Sequence, residues 1–193
     1  MRSGWGQELA RRLEFARFAI PEYSIVMLKS QDLLVILKLA EESEQRPTFP
    51  YLANSLGISA SEAHAAVKRA ARSGLVDEAT RTVKKAALLE FIEHAVKYMF
   101  PPDWEGVTPG VATSYAAAPL NSHFRVEDLP PVWPHPLGTV RGEGLAPLYR
   151  SAPDAAMRDP QLYQWLALVD AIRAGRARER QLAIAEVSRR LAP

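Results

Sequence analysis

The residues best placed to do chemistry lie between Ser59 and Lys85 of the 193-residue chain. They belong to Tyr51-Leu-Ala-Asn-Ser-Leu-Gly-Ile-Ser-Ala-Ser-Glu-Ala-His-Ala-Ala-Val-Lys-Arg-Ala-Ala-Arg-Ser-Gly-Leu-Val76. Helical spacing from Ala60 puts Ser61, Glu62, His64, Ala65, Lys68 and Arg69 on the outward side. Such a row offers hydrogen bonding and charge pairing to an anionic partner, although a short basic row on a helix is most often a solvated face. Catalytic patterns are missing: there is no Gly-x-Ser-x-Gly, Gly-x-Gly-x-x-Gly, phosphate loop or His-Glu-x-x-His. Arg141-Gly-Glu-Gly has neither the glycine count nor the following Lys-Ser/Thr of a phosphate loop. The chain has no Cys, which removes thiolate zinc sites and cysteine nucleophiles together. His64, His94, His123 and His135 are too widely separated for a histidine-rich metal site. Glu90 and His94 share a helix face, but two ligands make no metal centre. No catalytic residue, metal or cofactor is expected, and the chain does not read as an enzyme.

The elements that must position this row are legible in outline. Leu52, Ala53 and Leu56 form the buried side of a short helix over Tyr51–Leu56, and Gly57 supplies a left-handed turn. Ile58 plugs the elbow, and Ser59 caps a second helix over Ala60–Ser73 whose inner face is Ala63, Val67 and Ala70. Glu62 stands where it closes a capping box with Ser59. Gly74-Leu-Val begins a strand, and Leu75–Val83 suits a small hairpin. Upstream, Gln7–Ala19 has an amphipathic stripe, and Ser30 can cap a buried helix over Gln31–Glu42. Downstream, Lys84–Met99 reads as one helix, Pro160 opens another to about Ala174, and a last one follows Gly175 to about Leu191.

Composition sets the frame. Hydrophobic residues at 48% and charged residues at 24% describe a packed globular protein. The net charge of +2 permits an anionic partner without requiring one. Apolar runs such as Leu33–Leu37 are too short to cross a bilayer, so the expectation is a soluble cytoplasmic protein with no membrane partner. Nine of the fifteen prolines fall between Pro101 and Pro147, a stretch that long helices cannot cross. The division expected is a helical domain at 1–99, an irregular Pro- and aromatic-rich appendage at 100–159, and a helical pair at 160–193. That appendage reads as a packing clasp, with Tyr115 and Trp133 as a minor alternative lining for an effector pocket. The C-terminal stripe of Leu182, Ala183, Val187 and Leu191 docks the last helix or forms a dimer seam.

The segment from Tyr51 to Val76, with the helix before it and the hairpin after it, resembles the winged helix-turn-helix of bacterial transcriptional regulators, the broad group that includes MarR-like and ArsR-like repressors. The likeness covers roughly residues 31–99. It implies a mainly α (α+β) fold with a small β wing. It further implies a homodimeric, sequence-specific regulator of transcription bound to double-stranded DNA, most simply a repressor. Ala60, Ser61, Glu62, His64, Ala65 and Lys68 would then meet base edges. Ser59, Lys68, Arg69 and Arg72 would meet phosphates, with Arg81, Lys84 and Lys85 on the wing and its exit. Ala63 and Ala70 depart from the pattern, which usually has larger aliphatic residues there. Downstream, Lys97-Tyr-Met-Phe-Pro-Pro, Gly110-Val-Ala-Thr-Ser-Tyr-Ala-Ala-Ala-Pro-Leu120, Pro131-Val-Trp-Pro and Arg141-Gly-Glu-Gly-Leu-Ala-Pro-Leu-Tyr149 look similar to the tail of a small uncharacterised group of winged-helix proteins. That implies an appendage without known chemistry. The alternative function is an antitoxin-like protein-interaction module that neutralises a partner enzyme.

Overall fold

The computed structural model describes residues 27–42, 46–125 and 128–192. The expected helix over Gln7–Ala19 lies outside them. The fold is mixed helix and sheet. In chain order it runs α1 (Ser30–Glu41), α2 (Phe49–Leu56), α3 (Ala60–Arg72), α4 (Lys85–His94), α5 (Val96–Met99), β1 (Trp104–Ala112), β2 (Pro131–Pro134), β3 (Val140–Leu145), α6 (Ala152–Arg158), α7 (Pro160–Ala174) and α8 (Ala177–Leu191). No helix among the described residues is long and apolar enough to cross a membrane.

Two helices form the centre. In α1 every residue from Gln31 to Leu39 is buried, because α3 packs on one side and α7 on another. Its cap is Lys29 rather than Ser30: the Lys29 amide donates to Asp32 Oδ2 at 2.8 Å, satisfying a group the helix leaves unpaired. In α7, Leu162 and the run Trp165 to Arg173 are buried, and Asp159 caps the start by accepting from the amides of Gln161 and Leu162. One apolar core extends from Leu28 to Leu191 and takes in α1 to α4 as well as α7 and α8.

Two expectations need correction. Lys84–Met99 is not one helix: the turn breaks at Ala95 (φ −111°), giving α4 and a single further turn, α5. The middle of the chain is not irregular either. β1 pairs antiparallel with both β2 and β3, and β2 and β3 pair parallel with each other, so three short strands close into a ring. Glycine makes so tight a ring possible. A Cβ on Gly110 would lie 2.2 Å from the Trp133 carbonyl oxygen, and one on Gly142 would lie 2.0 Å from that of Pro130. The Arg141-Gly-Glu-Gly segment is thus a strand built for close approach.

This small sheet is fastened to α7 by polar contacts that leave little room between them. Thr113 Oγ1 and Trp133 Nε1 both donate to Asp170 Oδ2, at 2.8 and 2.6 Å. The Tyr163 hydroxyl donates to the Ala112 carbonyl at 2.6 Å, and Arg173 donates to that of Ala146. Trp133 is buried edge-on to Tyr163. Burial pushes the Asp170 carboxyl upward, against the opposing pull of Arg173 and its two hydroxyl and indole donors.

Candidate functional site

The second helix of the singled-out segment presents two unlike faces. Ala63, Ala66, Val67 and Ala70 are buried against α1 and α2, and their small side chains let the three helices approach closely. Ser61, His64, Lys68 and Arg72, at i, i+3, i+7 and i+11, lie together on the opposite side and are exposed. Lys68 and Arg72 make no hydrogen bond or ion pair to any described residue.

The start of α3 is fixed from both directions. Gly57 adopts the left-handed turn (φ 65°) that ends α2. The Glu62 amide donates to Ser59 Oγ at 3.1 Å, while the Ser59 amide donates to Glu62 Oε2 at 2.8 Å. Those bonds hold the Glu62 carboxyl below its usual range, the Ser59 amide contributing most. Gln31 Nε2 donates both to Glu62 Oε1 and to the Tyr149 hydroxyl. Ser151 Oγ donates to the Leu56 carbonyl at 2.6 Å. The segment after β3 therefore braces the turn between α2 and α3.

Beside this face runs the hairpin. Val76 and Val83 form an isolated antiparallel bridge, and the Asp77 amide donates to the Thr82 carbonyl at 2.8 Å. Asp77 Oδ1 accepts from the Thr80 amide and hydroxyl, which closes the turn and lowers the Asp77 pKa. Arg81 follows in a left-handed conformation (φ 60°), and its guanidinium lies 4.6 Å over the ring of Phe49. On the other helix His64 meets the same ring, with centroids 5.0 Å apart and planes at 78°.

Of the twelve expected site residues, Arg81 lies half-buried on the hairpin over Phe49, and the other eleven divide as follows. Ala60, Ser61, His64, Lys68 and Arg72 share the open face with Ser59 at its start, and Lys84 stands exposed at the hairpin exit. Ala65 is half-buried at the edge. Glu62 is engaged in the cap. Lys85 is exposed but donates to the Ala192 carbonyl at the end of α8. Arg69 departs most from expectation: its Nε and Nη2 donate to the two oxygens of Asp32 at 2.8 and 2.6 Å, an ion pair whose carboxylate is fully buried. A guanidinium so held has turned inward, away from the open face. Sequence reasoning missed Asp32, Gln31 and Phe49. Asp32 was detectable as an acid in the first turn of a buried helix, but nothing local marks the other two.

Elsewhere several ionisable groups are committed to structure. Lys38 donates to Glu41 and Asp159 at 3.0 and 2.7 Å and is paired with Glu42 at 2.9 Å, beside a cleft of about 520 Å³. Burial works against its charge, but the three carboxylates outweigh it and hold Lys38 well above the usual lysine range. Such an amine is no base or nucleophile near neutral pH. His94 lies nearest Glu93, at 3.9 Å, rather than Glu90. Of the arginines between Arg173 and Arg190, at least three are paired with carboxylates. Arg173 pairs with Asp170, and Arg189 and Arg190 both pair with Glu186. Ala183, Val187 and Leu191 are buried in the core, so the apolar stripe of α8 is not an outward seam.

Comparison of the chain with protein-family models, with curated proteins and with solved structures returns no match.

Proposed function

We propose that the protein is a sequence-specific DNA-binding regulator of the winged helix-turn-helix type, acting as a repressor. One observation carries this reading: the outward face of α3 joins Ser61, His64, Lys68 and Arg72 in a single exposed row while the opposite face is sealed into the core. A helix entering the major groove needs that division, with donors and acceptors ahead and a rigid support behind. Ser61 and His64, near the helix start, take the base edges. Lys68, Arg72 and Lys84 take phosphates. The hairpin from Val76 to Val83 is the wing, and Arg81 lies on it. The regulator would act as a homodimer on paired half-sites, with a partner surface distinct from the buried stripe of α8.

The test is selection by the full chain from a random double-stranded library, followed by a mobility shift on the enriched duplex. Enrichment of one sequence, bound ~10³-fold or more above random duplex at moderate salt, is the expected outcome. Equal binding to every duplex, or none, overturns it. The second reading, a protein-interaction module, rests on the exposed Tyr98, Met99, Trp104 and Val107 near α5 and the start of β1. Copurification of one stoichiometric protein with no duplex enrichment would favour it.

A further inference from the structure

Phe49 is touched by a residue from each of the two elements that the DNA reading brings to the duplex. His64 of α3 meets its ring at 5.0 Å, and the Arg81 guanidinium of the hairpin lies 4.6 Å over it. The ring is well anchored. Phe49 is the first residue of α2, between the capping Thr48 and Pro50, and it packs half-buried against the core. Arg81 is held as firmly. Its left-handed backbone is one that non-glycine residues keep only where their surroundings hold them, and its Nε is buried with no hydrogen-bond partner. Arg46 is the charged group that acts on it most directly, a second cation, and no carboxylate of the described residues pairs with either.

We propose that Phe49 is a positioning residue that fixes the Arg81 guanidinium and the His64 imidazole relative to each other, so that wing and reading helix meet the duplex in one register. This rests on the DNA reading above. Its consequence is non-additivity, because losing either partner loosens the other through the shared ring. The base preference set by His64 then depends on Arg81, although the two residues belong to different elements.

The experiment uses the full chain in two arms. Without DNA, the His64 Cε1–H resonance is followed in wild type, F49L, F49Y and R81A. F49L removes the ring contribution and F49Y keeps it, while R81A shifts the resonance by a smaller amount. With DNA, the probe is the duplex that wild type enriches from a random library, against unselected duplex of the same length. F49L should lower affinity for the enriched duplex about fivefold and leave random duplex nearly unchanged. H64A and R81A together should lose less than the product of their separate losses in wild type. In the F49L background the two losses should multiply. Losses that multiply in the wild-type background overturn the role of Phe49, and that comparison needs no Phe49 variant to fold. So does a shifted His64 resonance with unchanged affinity in F49L. A wild type that enriches no duplex overturns the DNA reading and this inference with it, whatever the resonance shows.

Discussion

Replacing Arg69 by Met should destabilise the protein and, under the proposed DNA reading, leave phosphate binding intact, the reverse of what its place on a basic helix face implies. Asp32 is fully buried and accepts three hydrogen bonds: one from the Lys29 amide and two from Arg69, whose side chain is 19% exposed. Arg69→Met keeps most of the stem packing and removes both charge-assisted bonds. The carboxylate is left with one amide donor. Breaking a fully buried ion pair costs ~3–5 kcal/mol, and partial exposure on the arginine side lets water replace some of what is removed, so about 2–3 kcal/mol is expected. At this chain length that corresponds to a melting point lower by roughly 5–10 °C. Adding Asp32→Asn removes the buried charge itself, so the double variant should be more stable than Arg69→Met alone, by about 1 kcal/mol or more. Urea unfolding followed by far-ultraviolet circular dichroism reads both, and an unchanged m-value keeps the comparison within one unfolding reaction. A loss below about 0.5 kcal/mol with the same m-value would refute the argument, because surface substitutions cost that little. A salt slope for DNA binding lowered by about one in Arg69→Met would return this residue to the phosphate-binding set.

Two further outcomes follow from the same geometry. Thr113→Val removes one of the two donors to Asp170 Oδ2 and should cost about 1–2 kcal/mol in urea unfolding; no measurable loss would mean this hydrogen bond adds nothing to what holds the sheet to α7. Glu186 is held at a pKa of about 2, against an ordinary 4.5, chiefly by its hydrogen bond from Arg189. Its folded-state pKa is depressed, so the stability it contributes is present above about 4.5 and disappears as pH falls towards about 2. Glu186→Gln should therefore be less stable than wild type at neutral pH, with the gap closing across that window; a gap independent of pH would contradict the pairing with Arg189 and Arg190.

Much of the N-terminal half was legible because its signals are local. Ser59 and Glu62 form a capping box within four residues, Gly57 takes the left-handed turn, and the helical spacing of Ala63, Val67 and Ala70 marks the inner face of α3, to which the structure adds Ala66. Ala63 and Ala70 fit because α1 and α2 press close. The middle of the chain hid its strands. Pro109, Pro131 and Pro134 lie in β1 and β2, where proline usually argues against a strand, and the glycines of β3 resemble loop residues until the close approach at Gly142 is seen. Long-range side-chain commitments were the least legible. Arg69 is basic, periodic and adjacent to Lys68, and only the fold reveals Asp32 beneath it. Phe49 lies outside the segment with the helical pattern, so no spacing rule ties it to His64 or Arg81.

The central claim is that the open face of α3 meets DNA. The most direct test is the salt dependence of binding to the enriched duplex, by fluorescence anisotropy, for wild type and for Lys68→Ala/Arg72→Ala. Both residues are exposed and free of described partners, so the double variant should keep wild-type stability within about 0.5 kcal/mol. Removing two phosphate-binding cations should make the slope of log K against log salt shallower by about 1.8. Identical slopes and affinities for the two proteins would contradict the account and leave α2 and α3 as a structural helical hairpin.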